Sequence, residues 1–148
     1  MRLTNDTLGR VLHNALYQRM LTFCQEYTPE FPGDIVVQGW LSRLYNDDQN
    51  LHILVNLDNN YKITGHCVID VQEAYGNKVI FVHQAAADRG NSVTMDEGME
   101  YVNKLANEIG AICISAAVAK NSKVYEKKYG FTAVRTQVVK FFGDADEQ

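Results

Sequence analysis

A strand–helix–strand unit in residues 78–118 constrains the fold more than any other part of the sequence. Lys78–Gln84 is rich in branched apolar residues and predicts a β-strand. Apolar residues then recur at helical spacing over Met95–Ile109, and Gly110 supplies a typical helix stop. Ala111–Val118 is almost continuously apolar, as expected of a strand covered on both faces. The length of this unit predicts a parallel crossover, with a helix packed on a sheet.

Two helices are predicted before this unit. Apolar residues recur at helical spacing over Leu8–Phe23 and again over Ile35–Asn46. Pro29 and Pro32 form the breaker between them. The side chains expected to cap the first helix are Thr4, Asn5 or Asp6, and Asp34 is expected to cap the second.

Short turns join three strands in the middle of the chain. Leu51–Leu57 and Tyr61–Val71 have extended character, and Asp58–Asn60 between them has turn chemistry. Gly76–Asn77 is a second turn signal before the strand that begins at Lys78. These strands predict an antiparallel meander, so a sheet that also contains the parallel crossover must be mixed.

The C-terminal part adds one helix and one strand. A short helix begins at Asn121 or Ser122 and ends at Gly130, and Phe131–Phe142 predicts a last strand before an acidic tail at 143–148. The predicted fold class is α/β (α+β) with the order α-α-β-β-β-α-β-α-β. The 148 residues suit one domain spanning 1–148.

Composition narrows the class of protein. The formal net charge of -4 argues against a general nucleic-acid clamp and against a membrane-surface binder. Cys24, Cys67 and Cys113 lie far apart, which excludes a disulfide framework and argues against zinc or another metal site. Each cysteine lies in an apolar stretch, so we expect buried, inert thiols. With no signal-peptide pattern at the start, the expectation is a cytoplasmic protein.

The segment Asn121–Phe131 resembles a known family. Its sequence, Asn-Ser-Lys-Val-Tyr-Glu-Lys-Lys-Tyr-Gly-Phe, is similar to the penultimate helix of the GNAT superfamily of N-acetyltransferases. Together with the order of elements, the resemblance covers Leu51–Phe142. It implies a GNAT-like fold, acetyl-coenzyme A as cofactor, and acetyl transfer to an amine of a small molecule or a protein.

The resemblance also implies a phosphate-binding loop before the crossover helix. The matching stretch is Arg89–Thr94, where Arg89 and Gly90 agree with the family's Arg-Gly-x-Gly-x-Gly form. Ser92 and Thr94 stand where the family usually has glycine or another small residue, so the loop is degenerate. The cofactor-binding residues implied are Arg89, Gly90, Asn91, Ser92, Val93, Thr94 and, at the start of the next helix, Asn121.

The catalytic acid implied by the family is a tyrosine four residues before the glycine of Gly-Phe. Counting back from Gly130 gives Glu126, and Tyr125 lies one residue earlier. One residue on a helix is a rotation of about 100°, so the two side chains cannot face a cofactor equally. Either Tyr125 acts in a shifted register, or another acid acts, or the protein has no catalytic activity.

The end of the central strand is implied to hold the pantetheine arm through free backbone groups of His83, Gln84, Ala85 and Ala86. Candidate bases for the amine proton are Asp70, Glu73 and His83. The ordinary pKa of histidine, about 6.5, suits His83 to proton transfer. Each of these residues also has a structural interpretation, as a core histidine or as carboxylates at a solvated strand end.

A second functional hypothesis stays open. The replaced glycines and the displaced tyrosine would fit a catalytically inactive GNAT-like protein with a role in interaction or assembly. A loose likeness to acetyltransferase-like proteins of tailed bacteriophages would place such a protein in a virion or in the host cytoplasm. An exposed last strand with Phe141 and Phe142 would allow a homodimer. The acidic balance favours a basic acceptor in the enzymatic case.

Overall fold

Two tight turns shape the middle of the chain. Asp58 Oδ1 accepts hydrogen bonds from the backbone N–H groups of Asn60 (2.8 Å) and Lys62 (3.0 Å), which closes the first turn. Tyr75 and Gly76 have φ angles of 57° and 73°, as the turn of a twisted two-residue hairpin requires. The three strands joined by these turns pair antiparallel, as predicted.

The computed structural model describes residues 1–89, 92–117, 122–134, 138 and 140–142. The four described strands form one sheet, and the last is parallel to the third, which confirms the mixed sheet and the crossover. None of the helices in these ranges is long and apolar enough to cross a bilayer. In chain order the elements are α1 (Arg10–Tyr27), α2 (Gly33–Tyr45), β1 (Leu51–Leu57), β2 (Ile63–Ala74), β3 (Asn77–Ala87), α3 (Ser92–Ile109), β4 (Cys113–Ala116) and α4 (Ser122–Tyr129).

Each face of the sheet has its own apolar cluster, because alternate residues of a strand point to opposite faces. Ile53 of β1 and Val68 of β2 pack in one cluster with α1 and α2. Leu54 and Cys67, their neighbours in sequence, pack in the other with Val102 of α3. The sheet is therefore the middle layer of three.

A β-bulge interrupts the pairing of β2 with β3. Ile69 pairs with Val82, but the preceding residue of β2, Val68, pairs with Gln84. His83 is therefore the additional residue on β3. A bulge changes which face the following side chains point to, so His83 and Gln84 both lie on the side of α1 and α2.

The sheet opens directly beyond this bulge. The pairing of β3 with β4 ends at Val82 and Ala116, whereas β3 itself continues to Ala87. Among the residues that the structure describes, the last part of β3 has no neighbour on its β4 side. This opening determines where a ligand can reach the backbone of β3.

The predicted caps of the first two helices are wrong. α1 begins at Arg10 after Gly9, and Thr4 caps a short 3₁₀ turn at Asn5–Thr7 instead. α2 has Pro32 at its N-cap and already includes Asp34 in its first turn. The fixed φ of proline leads into the helix there, and the Asp34 carboxylate lies where the helix dipole favours negative charge.

The end of the sheet differs from the prediction. β4 has only four residues, and Cys113 is exposed, whereas Cys24 and Cys67 are buried as predicted. Of the predicted last strand, residues 131–134, 138 and 140–142 are described and none of them belongs to a strand; the others lie outside the described residues. In the described sheet β4 is an edge strand, which explains its exposure.

Candidate functional site

A cavity of about 220 Å³ lies beneath α3 and reaches the opening between β3 and β4. Small side chains line it at the opening, namely Ala85 and Ala86 of β3 and Ala116 of β4. Tyr125 of α4 and Phe131 complete this end. Further from the opening the wall includes apolar side chains of β1, β2 and α3: Leu54, Cys67, Met95, Met99 and Val102.

The backbone of β3 offers hydrogen-bonding groups at the opening. Ala85 pairs with Cys67 and Ala86 pairs with His66, so β2 occupies one side of this stretch. In a strand paired on one side only, alternate N–H and C=O groups point to the other side. An extended ligand with amide groups can therefore add along β3 where β4 does not.

The structure distinguishes the two candidate acids on α4. Tyr125 lines the cavity, and burial together with nearby Cys67 raises the pKa of its phenol, so it remains protonated at neutral pH. Glu126 points elsewhere, since its Oε1 accepts a hydrogen bond from the backbone N–H of Ala133 (3.2 Å). Tyr125 is thus the protonated group of α4 that a ligand in the cavity would meet.

Contacts with α3 hold α4 in place. The hydroxyl of Tyr129 donates to Asp96 Oδ1 at 2.8 Å, and Lys128 Nζ lies 3.0 Å from the same oxygen. These bonds lower the pKa of Asp96, with Tyr129 as the main cause. Because Tyr129 follows Tyr125 by one helical turn, the contacts fix the position of Tyr125 relative to α3.

The predicted phosphate loop is described in part. Arg89 is exposed in the turn before α3, and α3 itself begins with Ser92 and Val93. Helix N-termini favour anions, but the phosphate-binding role implied for this stretch stays a prediction. Gly90, Asn91 and Asn121 lie outside the described residues.

Thr94 has a defined partner in the first turn of α3. Its Oγ1 accepts a hydrogen bond from Asn56 Nδ2 of β1 at 2.8 Å and keeps its own proton to donate. Its methyl group lies over Gly65 of β2, where an added Cβ would be only 2.5 Å away. Thr94 therefore anchors the start of α3 on the sheet.

His83 lies on the face opposite α3. Its Nε2 is 3.3 Å from Asp70 Oδ2, its ring centroid is 5.4 Å from that of Trp40, and Phe81 stacks on it at 6.4 Å. A carboxylate beside Nε2 favours the tautomer with its proton on that nitrogen. Nδ1 is then the nitrogen that carries no proton, and His83 itself is the first residue of β3 after its pairing with β4 ends at Val82.

Asp70 is held as an anion. Burial alone would raise the pKa of its carboxyl, but hydrogen bonds from Arg43, then from Gln72 and His83, outweigh burial and lower the pKa. Arg43 binds both oxygens of Asp70 at 2.9 Å and also contacts Asp48 at 2.7 Å. Bidentate pairing of this kind fixes geometry as well as charge.

The side chain of Gln84 is not available to a ligand in the cavity. It is buried on the α1 side, where its Nε2 donates to the carbonyl oxygen of Met20 (3.2 Å) and its Oε1 lies 2.8 Å from His66 Nε2. Arg19 Nε in turn donates to His66 Nδ1 at 3.1 Å. Gln84 can contact a ligand at the opening only through its backbone.

Glu73 lies apart from the other candidates. It is exposed near the β2–β3 hairpin and pairs with Lys78, four residues along β2 from the Ile69 pair at the bulge. At about 3.3 Å per residue this is roughly 13 Å. The structure brings Tyr125, Ala85 and Ala86 together at the cavity and His83 with Asp70 on the other face.

Sequence reasoning missed two residues. Arg43 is the main partner of Asp70, and nothing in the sequence pairs residues on a helix and a strand 27 positions apart. Gly98 lies inside α3 and lines the cavity. A glycine within a helical pattern was the available signal for it.

Comparisons with solved structures identify the fold as that of the GNAT acetyltransferases. A probable acetyltransferase superposes with a TM-score of 0.72 at 14% identity, covering 97% of each chain. An acetyltransferase of Trypanosoma brucei has a TM-score of 0.68 at 15% identity, covering 96% of this chain and 97% of the other. An aminoglycoside acetyltransferase from an uncultured soil sample, in complex with trehalose, has 0.57 at 18%, covering 97% and 93%.

No protein-family model matches the sequence, and no curated protein matches it either. At these sequence identities the structural likeness concerns the fold.

Proposed function

We propose that this protein is an N-acetyltransferase that transfers the acetyl group of acetyl-coenzyme A to an amine. The observation that carries the proposal is the opening of the sheet immediately beyond the bulge at His83. This opening joins a cavity lined by Tyr125 on one face to a histidine–carboxylate pair on the other. The GNAT fold adds independent support.

The residues at the opening fit the pantetheine arm of coenzyme A. Alanines at 85, 86 and 116 leave room for an extended chain. The backbone of β3 beyond Val82, which no described residue of the β4 side pairs with, offers partners for its amides. Arg89 and the N-terminus of α3 suit the pyrophosphate. When bound, acetyl-coenzyme A supplies an activated acetyl thioester.

Tyr125 and His83 have complementary roles in this proposal. His83 Nδ1 accepts the proton that the amine loses, while Asp70 holds the imidazole in the required tautomer and stabilises its charge. Tyr125, kept protonated by burial, donates a proton to the departing thiolate. Backbone N–H groups of β3 beyond the bulge polarise the thioester carbonyl.

The side chains around His83, on the face of the sheet that packs against α1 and α2, favour a basic amine of a small molecule or a peptide as the acceptor. Trp40 and Phe81 flank His83, and aromatic rings attract cations that approach their faces. The net charge of -4 also favours a cationic acceptor.

Calorimetric titration with acetyl-coenzyme A and with coenzyme A tests the proposal. We expect micromolar binding, weakened about tenfold in Arg89→Ala, because a charge-assisted contact to phosphate is lost. Lys62→Ala is the matched control: it removes an exposed cation from the β1–β2 turn and should leave the affinity within about twofold.

The outcomes separate the two functional hypotheses. Absence of binding at millimolar cofactor would exclude the enzyme and leave the inactive, assembly-type protein. Binding that Arg89→Ala does not weaken would keep the enzyme and exclude Arg89 as the phosphate ligand.

A further inference from the structure

Gly98 leaves a gap between α3 and the sheet. In helical spacing it shares a face with Val102 and Leu105, both of which are buried against the sheet. Gly98 lines the cavity, and a Cβ added to it would meet no atom of the described residues within 4 Å. Glycine inside a helix costs about 1 kcal/mol relative to alanine. The residue that leaves the gap therefore lowers the stability of α3.

The cavity extends well beyond the opening at which the thioester would lie. Its wall continues from Ala85 of β3 past Cys67 of β2 to Leu54 of β1. Two inter-strand spacings amount to roughly 10 Å. The single methyl group of an acetyl group cannot occupy this length.

The wall of this inner part is mostly apolar, although Arg2 and Glu97 also line the cavity and Arg2 Nε has no hydrogen-bond partner among the described residues. Other polar side chains near the wall have partners within the protein. Asn56 donates to Thr94, and the hydroxyl of Tyr101 lies 2.8 Å from His52 Nδ1. Burial raises the pKa of the Cys67 thiol to about 12, so it stays neutral. Met95 and Met99 have flexible side chains that adapt to a chain-like ligand.

We propose that this cavity is an acyl pocket and that the protein accepts acyl groups longer than acetyl, about six carbons in an unbranched apolar chain, from coenzyme A. The proposal rests on the acyl-transfer function proposed above. The reaction balances as for acetyl: the amine nitrogen–carbonyl carbon bond forms and the carbon–sulfur bond breaks. The amine proton goes to His83 and the thiolate takes the proton of Tyr125.

Calorimetry with coenzyme A, acetyl-coenzyme A and hexanoyl-coenzyme A tests the pocket without knowledge of the acceptor. We expect hexanoyl-coenzyme A to bind at least about tenfold more tightly than acetyl-coenzyme A, because four more methylene groups leave water. In Gly98→Leu the ratio of the two affinities should fall below about two, since the new side chain fills the gap.

Gly39→Leu is the matched control. Gly39 also lies inside a helix, and a Cβ added there meets no described atom within 4 Å, but it is exposed on α2. This variant should keep the ratio of the unmodified protein. Gly98→Ala, which improves helix propensity and adds only one carbon, should give an intermediate ratio and guards against misfolding of the leucine variant.

Each outcome bears on one proposal or on both. Acetyl-coenzyme A binding as tightly as the hexanoyl form, or a ratio that Gly98→Leu leaves unchanged, would overturn the acyl pocket and leave acetyl transfer intact. Failure of all three probes to bind would overturn the acyl-transfer function and the pocket with it.

Discussion

Tyr125 and Glu126 are adjacent in the sequence but have different surroundings. The side chain of Tyr125 lines the cavity, whereas Glu126 accepts a hydrogen bond from the backbone N–H of Ala133. The count of residues back from Gly130 places the family's tyrosine position at Glu126, with the candidate acid Tyr125 one residue earlier, but the rotation of α4 decides which side chain faces the sheet. When a functional residue is assigned from a family motif, the face of the helix on which a side chain lies is therefore a better guide than the number of residues between motif positions.

Replacement of Tyr125 by phenylalanine tests the acid. We expect Tyr125→Phe to lower turnover roughly 100-fold, because the phenolic proton is lost, and to leave acetyl-coenzyme A affinity within about twofold. Release of free coenzyme A with a basic amine found by screening provides the rate. Tyr17→Phe, which removes a hydroxyl from the α1 layer, is the control, and undiminished turnover in Tyr125→Phe would mean that another group protonates the thiolate.

At the scale of elements, the start of α3 is positioned by a close approach to β2. The Thr94 methyl group lies over Gly65, and a Cβ there would be 2.5 Å from Thr94 and 3.2 Å from the carbonyl oxygen of Ala86. Glycine at 65 is thus required by space rather than by backbone conformation. The same approach brings the N-terminus of α3 near Ala86, in the last part of β3.

A double-mutant cycle measures this contact. Gly65→Ala should destabilise the protein by about 1–3 kcal/mol through overpacking, and Thr94→Ser, which removes the methyl group but keeps the hydroxyl, should offset part of that loss. Urea unfolding of both single variants and the double variant gives the coupling. Strict additivity of the two changes would show that the residues do not touch.

At the scale of the whole molecule, a buried polar network connects α1 to the central strands β2 and β3. His66 of β2 lies between Arg19 of α1 and Gln84 of β3. Burial is the main cause that lowers the pKa of His66 to about 4, and the positive charge of Arg19 acts in the same direction. The native protein therefore holds His66 neutral, whereas the unfolded chain protonates it below about pH 6.5.

This difference predicts how stability depends on pH. Between pH 6.5 and pH 4 the unfolded state binds one more proton at His66, so the free energy of unfolding is greatest above that range. It should fall by about 3 kcal/mol as the pH drops to 4. The lowered pKa of Asp70 adds a further loss only below about pH 4, the ordinary pKa of an aspartate.

Urea unfolding at several pH values, with one cooperative transition at each, gives the free energy of unfolding as a function of pH and checks this expectation. His66→Gln keeps hydrogen-bonding capacity but cannot titrate, so its stability should vary less with pH over the same range. Burial also lowers the pKa of His52, which therefore keeps part of the slope in this variant. Gln18→Ala, which removes an exposed side chain of α1 that cannot titrate, serves as the control that should keep the slope. An equal slope in His66→Gln and the unmodified protein would assign the pH dependence to other groups.

The sequence was sufficient for the architecture. Periodicity located all four longer helices and the four described strands within a few residues, because amphipathic spacing reflects which face of an element is buried. It was weaker at helix ends: Pro32 rather than Asp34 is the N-cap of α2, since cap geometry depends on the path of the preceding chain.

The candidate site depended on tertiary structure much more. The role of Ala85 and Ala86 was implied by the family resemblance, but the bulge at His83, which sends two successive side chains to one face, has no sequence signature. Glu73 and Asp70 are three residues apart in one strand, and only the pairing of β2 with β3 shows which one reaches His83. Distances across a sheet follow from register, which local sequence does not encode.

The sequence by itself determined the order of helices and strands, the mixed sheet and the parallel crossover, because these follow from local spacing and turn chemistry. Only the tertiary structure decided where the sheet opens, that Tyr125 enters the cavity, and that Gly98 leaves space beneath α3. Those properties arise from packing between segments far apart in the chain. A shift of one residue in strand register, or a rotation of a helix by a quarter turn, would bring different side chains into contact.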